Sequence, residues 1–251
     1  MNAIELGILL PAFIAGLLVL ATHIPFGMKV LERGVIFADL AVAQIAGLGV
    51  IIAALLNLSD QPLLVQLIAA ASALCGAALL AWIESRLEEV KEACIGLTFV
   101  LAASGGILLM SRDVHAGEHL KDLLVGQILW VNSNQLIATA VLTAILLALW
   151  QWTKLKTHNF GFYGLFALAV TASVQLVGVY LVFASLIVPA LATYRIKHRR
   201  TLAAFAVGIS GYAVGLLLSA WFDLPSGATV VWAMAVTGVL TAWLLNVRKV
   251  G

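Results

Sequence analysis

A short segment in the middle of the chain holds four side chains that could bind a metal ion. They are His115, Glu118, His119 and Asp122, which follow one another at spacings that place all four along one face of a helix. Imidazole nitrogens and carboxylate oxygens are ligands that Zn²⁺ and Mn²⁺ accept. The same pattern also fits an amphipathic helix at the membrane surface, with its polar face in water. The sequence alone leaves both interpretations open.

Asp39 is the one carboxylate that lies well inside an apolar stretch. An ionisable residue inside a membrane span is costly, so it is by default a candidate for handling an ion. Gln44 follows on the same stretch, about 140° further around a helix that turns ~100° per residue. A wide cavity could contain both side chains, and both are predicted metal contacts. Alternatively, Asp39 lies near the inner interface, where it caps a helix or pairs with an arginine.

Other titratable residues have plainer expected roles. His23 precedes Pro25 at the predicted end of the first span, so we expect an interfacial histidine rather than a ligand. An acidic loop is interpreted as a solvated helical turn, with a docking surface for a cytoplasmic subunit as the alternative. Its carboxylates belong to Glu84, Glu88, Glu89 and Glu92.

The composition decides what kind of element must position these residues. Of 251 residues, 63% are hydrophobic and 10% are charged, against about 25% charged in globular proteins. A soluble domain cannot bury that much apolar surface, because roughly a quarter of the surface that the unfolded chain exposes stays wet even in a large domain. Two cysteines imply no disulfide framework, and a net charge of +2 does not suggest nucleic acid. The composition therefore predicts an integral membrane protein.

Apolar stretches of spanning length predict an all-α polytopic transmembrane helical bundle with eight or nine spans. The uncharged stretch near 160–193 is too long for one helix, so a tight hairpin is expected to turn near Gln175–Gly178 and bring both ends to the same side. The predicted spans are 5–23, 35–57, 62–83, 93–111, 135–152, 160–176, 177–193, 202–221 and 226–246.

Basic residues orient the predicted bundle. With the N-terminus outside, every Lys and Arg except Arg112 and Lys121 falls in an inner loop or at the inner C-terminus. This is the distribution that the positive-inside rule requires. Residues 1–251 are expected to form a single transmembrane domain without a soluble or nucleotide-binding domain, since the loops are short and no Gly-Lys-Ser or Gly-Lys-Thr phosphate loop occurs. The chain itself is therefore not expected to be an enzyme.

Five segments, in order along the chain, resemble motifs of the metal-cation permeases of zinc and manganese ABC importers. The matches run in the same order from about residue 20 to residue 246. The segments are Leu31–Gly47, Lys91–Leu97, Asp122–Val131, Val174–Ala192 and Asp223–Ala228.

The resemblance implies a type II importer-like permease that works as a homodimer in the bacterial inner membrane. Two cytoplasmic ATPase subunits would drive it, and an extracytoplasmic metal-binding protein would deliver the ion. No tightly bound cofactor is implied, only the transported Zn²⁺ or Mn²⁺. Two departures stand out, because Ala38 and Val42 occupy the positions where relatives carry Asp and His, and the loop 153–159 is short.

The sequence therefore predicts a permease that imports a divalent transition metal by alternating access, zinc first and manganese second. One alternative is a secondary transporter that runs on an ion gradient, which usually needs more buried ionisable residues than Asp39 alone. The other is a permease of the iron–siderophore or cobalamin type, which would favour a wide apolar lumen without a ligand cluster.

Overall fold

The computed structural model describes residues 3–58, 60–110, 124, 126 and 128–247, and this part of the chain contains helices and no strand. Short 3-10 turns precede α4, α5 and α6, at Glu88–Val90, Ile128–Trp130 and Lys154–Thr157. The α-helices of the described part are α1 Ala3–Arg33, α2 Ala38–Leu55, α3 Pro62–Arg86, α4 Lys91–Met110, α5 Ser133–Trp152, α6 Asn159–Val177, α7 Val179–Ala192, α8 Arg200–Phe222 and α9 Ser226–Val247.

Eight of these helices are long and apolar enough to cross a membrane, which confirms the predicted all-α membrane bundle. The exception is α7, whose 14 residues span about 21 Å at 1.5 Å per residue. A hydrocarbon core is about 30 Å thick, so α7 is too short to cross it alone. The predicted number of spans, eight or nine, is thus met by eight full-length helices and one short apolar helix.

The first helix is longer than the sequence suggested. A span of 5–23 was expected to end before Pro25, yet α1 continues through that residue to Arg33. Proline removes one backbone donor from a helix, here the one that would bond the carbonyl of Ala21. Membrane helices tolerate this when neighbouring elements pack around the break. Gly27, two residues after Pro25, lies directly against the backbone of Leu186 in α7, so close packing supports α1 where its own hydrogen bonding is interrupted.

The long apolar stretch near residue 177 breaks where a turn was expected. Helix α6 ends at Val177, α7 begins at Val179, and only Gly178 separates them. Gly178 has φ 81° and ψ 162°, a region of backbone space that is essentially restricted to glycine. The residue type at this single position therefore sets the boundary between the two helices.

The described residues fall into two compact units, and the first comprises Met1–Arg33, Leu124–Thr143 and Gln175–Gly251. Within it, glycines allow α8 to approach its neighbours closely. Gly208 faces Leu20 of α1, and Gly211 would place a Cβ only 2.8 Å from the Cα of Met234 in α9. Small residues at such crossings are the usual basis of tight helix packing in membranes.

The second unit comprises Gly34–Leu123 and Ala144–Val174. Within it, α2 packs on both α3 and α4. Phe37, at the start of α2, faces Gly96 near the start of α4, and Leu48 further along α2 faces Gly105, so these two helices run parallel and begin at the same level. This parallel arrangement places the first turn of α2 beside the first turn of α4.

Candidate functional site

Asp39 lies in the first turn of α2 and is completely buried. Neither carboxylate oxygen has a hydrogen-bond partner in the described part of the protein. The sequence placed Asp39 well inside a span, whereas the structure places it near a span's end, because α2 begins at Ala38. The alternative was that Asp39 pairs with an arginine or caps a helix. Among the described residues, neither contact is present at its carboxylate oxygens. An isolated buried carboxylate is unfavourable unless a cation or a proton joins it.

The start of α2 receives its cap from another helix. Its N-cap residue, Phe37, has no side-chain acceptor to offer. The backbone N–H of Phe37 instead donates to Oε1 of Glu92, in the first turn of α4, at 3.1 Å. Carboxylates are stabilised at helix N-termini by the partial positive charge there. The acidic loop thus contributes a structural contact, while Glu88 and Glu89 in the same loop are exposed as the solvated interpretation predicts.

Gln44 lies on the same helix as Asp39 and is half-buried. Since α2 is a regular helix through both positions, the two side chains still leave it about 140° apart. The structure therefore puts them on one element without bringing them to one face. They remain two separate predicted contacts along α2.

The predicted outer cluster cannot be compared with the structure. His115, Glu118, His119 and Asp122 lie outside the described residues, so a metal site there stays a prediction. Among the residues that are described, no group of three or more His, Cys, Asp or Glu side chains could hold a metal ion.

His23 is placed differently from its expected interfacial position. Because α1 continues past Pro25, His23 lies inside a spanning helix and is completely buried. Its Nδ1 lies 3.0 Å from both the carbonyl oxygen of Val19 and the hydroxyl of Thr22. Nε2 is buried without a hydrogen-bond partner in the described structure. The prediction was wrong because Pro25 was interpreted as the end of the helix, whereas it lies in the interior of α1.

Comparison with known proteins agrees with this architecture. A model of the ABC 3 transport family matches residues 5–161 and 153–245. The chain belongs to this family. The resemblance to the membrane permeases of metal-cation ABC importers is therefore confirmed, and the protein is a multi-pass membrane component of such a transporter.

Relatives within the family differ in the metal that their names give. The membrane protein ZnuB of a high-affinity zinc uptake system from Haemophilus influenzae is 24% identical over 256 residues, covering 93% of this chain and 96% of that protein. A probable iron transport system membrane protein from the same organism is 27% identical over 186 residues, covering 65% and 68%. An uncharacterized membrane protein of Cyanophora paradoxa is 32% identical over 177 residues, covering 60% and 58%.

A solved structure supports the fold. The chain is similar to PsaBC from Streptococcus pneumoniae in complex with Fab, with a TM-score of 0.73 and 21% identity. The match covers 93% of this chain and 89% of the other. At 21% identity, this similarity shows that the two chains share a fold.

Proposed function

We propose that this ABC 3 family chain is the permease subunit of an ATP-driven importer of a divalent transition metal, zinc first and manganese second. The observation that carries the choice of a cation is Asp39, a completely buried carboxylate with no hydrogen-bond partner in the described part of the chain. A cation that passes this carboxylate offsets the free energy of burying its charge. Support for zinc comes from the relative ZnuB, which this chain matches over nearly its full length.

In this proposal Asp39 and Gln44 line the metal route along α2. His115, Glu118, His119 and Asp122 receive the ion at the outer mouth, where their ligand types suit Zn²⁺ or Mn²⁺. Binding along the route has to be weak, because conduction requires that an ion can leave each site.

The energy for transport comes from partners in this proposal. The chain forms one transmembrane permease domain, and two copies of it associate in the bacterial inner membrane. Cytoplasmic ATPase subunits drive alternating access, and an extracytoplasmic metal-binding protein delivers the ion. The ABC 3 family membership supports this arrangement, and the chain carries no phosphate-loop sequence of its own.

The test is reconstitution of the chain with the ATPase and binding protein encoded beside its gene. We expect Zn²⁺, and more weakly Mn²⁺, to stimulate ATP hydrolysis and to accumulate in the vesicles. Asp39→Asn should reduce uptake at least about tenfold, a loss of roughly 1.4 kcal/mol. Asp60→Asn, at an exposed position between α2 and α3, is the matched control and should transport normally.

Three outcomes would overturn parts of the proposal. Stimulation by Fe²⁺ alone would favour the substrate named for the iron transport relative. Uptake without ATP or ATPase subunits would favour an ion-gradient transporter. Normal transport by the Asp39→Asn variant would remove Asp39 from the route.

A further inference from the structure

The first turn of α2 depends on a distant part of the chain for its cap. The first N–H groups of any α-helix lack partners within the helix, and the N-cap residue Phe37 supplies no side-chain acceptor. Glu92, 55 positions further along, accepts the hydrogen bond from the Phe37 N–H at 3.1 Å. A carboxylate that accepts from the N-cap N–H is one half of a capping box, so this contact is expected to help hold the start of α2 in place.

The geometry of α2 and α4 increases the importance of this contact. The helices run parallel, as the order of the pairs Phe37–Gly96 and Leu48–Gly105 shows. Their N-termini are therefore neighbours, and each carries a partial positive charge of about half an elementary charge. Two neighbouring partial positive charges repel each other. The negative charge of the Glu92 carboxylate reduces this repulsion, and the same carboxylate accepts a hydrogen bond at the N-terminus of α2.

Asp39 follows Phe37 by two residues, and neither of its carboxylate oxygens has a hydrogen-bond partner among the described residues. The backbone around Asp39 therefore determines where its side chain lies. The Phe37–Glu92 hydrogen bond ties that backbone to the neighbouring helix. We propose that Glu92 is a positioning residue for Asp39, which ties the start of α2 to the start of α4 and keeps the carboxylate buried. The positioning of Asp39 by Glu92 does not require the proposed transport function. Only its expected effect on metal uptake rests on that function.

Cysteine accessibility tests the positioning without any metal. In a background where Cys75 and Cys94 are replaced by alanine, an Asp39→Cys variant in native membranes should react slowly with N-ethylmaleimide, since the position is completely buried. Adding Glu92→Ala should raise the labelling rate about fivefold, the change expected when loss of a cap shifts a local opening equilibrium. Glu92→Gln, which keeps the length and an acceptor oxygen, should stay within about twofold of the parent.

Glu89→Ala is the matched control, because Glu89 is an exposed carboxylate in the same acidic loop. Its labelling rate should equal that of the parent. An unchanged rate in the Glu92→Ala variant, or equal acceleration by Glu89→Ala, would overturn the proposal. If Glu92→Ala does not insert into the membrane, Glu92→Asp replaces it, since a side chain shorter by one methylene should not reach Phe37 and should give the same acceleration.

Zinc uptake provides the second readout. At equal amounts of assembled complex, Glu92→Ala should raise the Zn²⁺ concentration for half-maximal uptake at least about fivefold, and Glu92→Gln should recover most of that loss. The double variant Asp39→Asn/Glu92→Ala should be no worse than Asp39→Asn, because both act on one contact. Additive losses would contradict the positioning role. If the parent transports neither Zn²⁺ nor Mn²⁺, the proposed function fails, while the labelling result still decides the role of Glu92.

Discussion

Ser185 of α7 and Tyr212 of α8 share a buried hydrogen bond between their hydroxyl groups at 2.9 Å. The ring of Tyr212 fills the space beside Gly16 of α1, so one side chain joins three helices of the first unit. Tyr212→Phe keeps the ring but leaves the Ser185 hydroxyl buried and unpaired. We expect a loss of about 1–2 kcal/mol in stability.

Thermal unfolding of the purified protein, followed by the fluorescence of its seven tryptophans, can measure this loss. The double variant Tyr212→Phe/Ser185→Ala should recover part of the stability, because it removes both polar groups. A double variant less stable than Tyr212→Phe would show that the hydrogen bond is not the main contribution at this contact.

Gly211 of α8 has no room for a side chain. An added Cβ would lie 2.8 Å from the Cα of Met234, and a backbone atom cannot move aside as a flexible side chain can. Gly211→Ala should therefore separate α8 from α9 and lower stability by about 1–3 kcal/mol. Gly164→Ala in α6 is the matched control, since nothing lies within 4 Å of its added Cβ. It should be neutral or stabilising by up to about 1 kcal/mol, because alanine favours helix. Equal thermal shifts for the two variants would contradict this account.

Asp39 should lower the stability of the metal-free protein while serving transport. Asp39→Asn removes a carboxylate that is buried without a hydrogen-bond partner among the described residues, so the melting temperature of the variant in EDTA should rise by a few degrees. Adding Zn²⁺ in excess over EDTA should raise the melting temperature of the parent more than that of Asp39→Asn, which keeps only the other proposed metal contacts. A metal-free variant less stable than the parent would indicate that the carboxylate makes a stabilising contact in the native protein.

The buried ring of His23 allows a similar comparison. Nε2 lacks a hydrogen-bond partner among the described groups, so the ring is held mainly by its bulk and by the contacts of Nδ1. His23→Leu keeps most of the volume and should change stability by less than about 1.5 kcal/mol. His23→Ala leaves a cavity and should cost about 2–4 kcal/mol. If both variants lose the same stability, the ring nitrogens contribute more than the packing does.

Much of the fold follows from properties that a sequence displays directly. The eight spanning helices were predictable because each must satisfy its own backbone hydrogen bonds in lipid, which turns hydrophobic length into helix length. The break near 175–178 was predictable as well, since an uncharged stretch too long for one helix contains Gly178 at that place. The end of α1 was not, because a proline interrupts one hydrogen bond but does not decide whether neighbouring helices support the backbone beyond it.

For the candidate site, the sequence determined which residues were available. The scarcity of charge singled out Asp39, and it did so correctly in that the carboxylate is buried. The tertiary structure decided what surrounds it. Glu92 contacts the start of α2, and His23 lies in the interior. Both placements depend on which helices pack together and on how far each is shifted along its axis. Such pairings join residues far apart in the chain, and no local pattern of spacing or hydrophobicity encodes the distance between them.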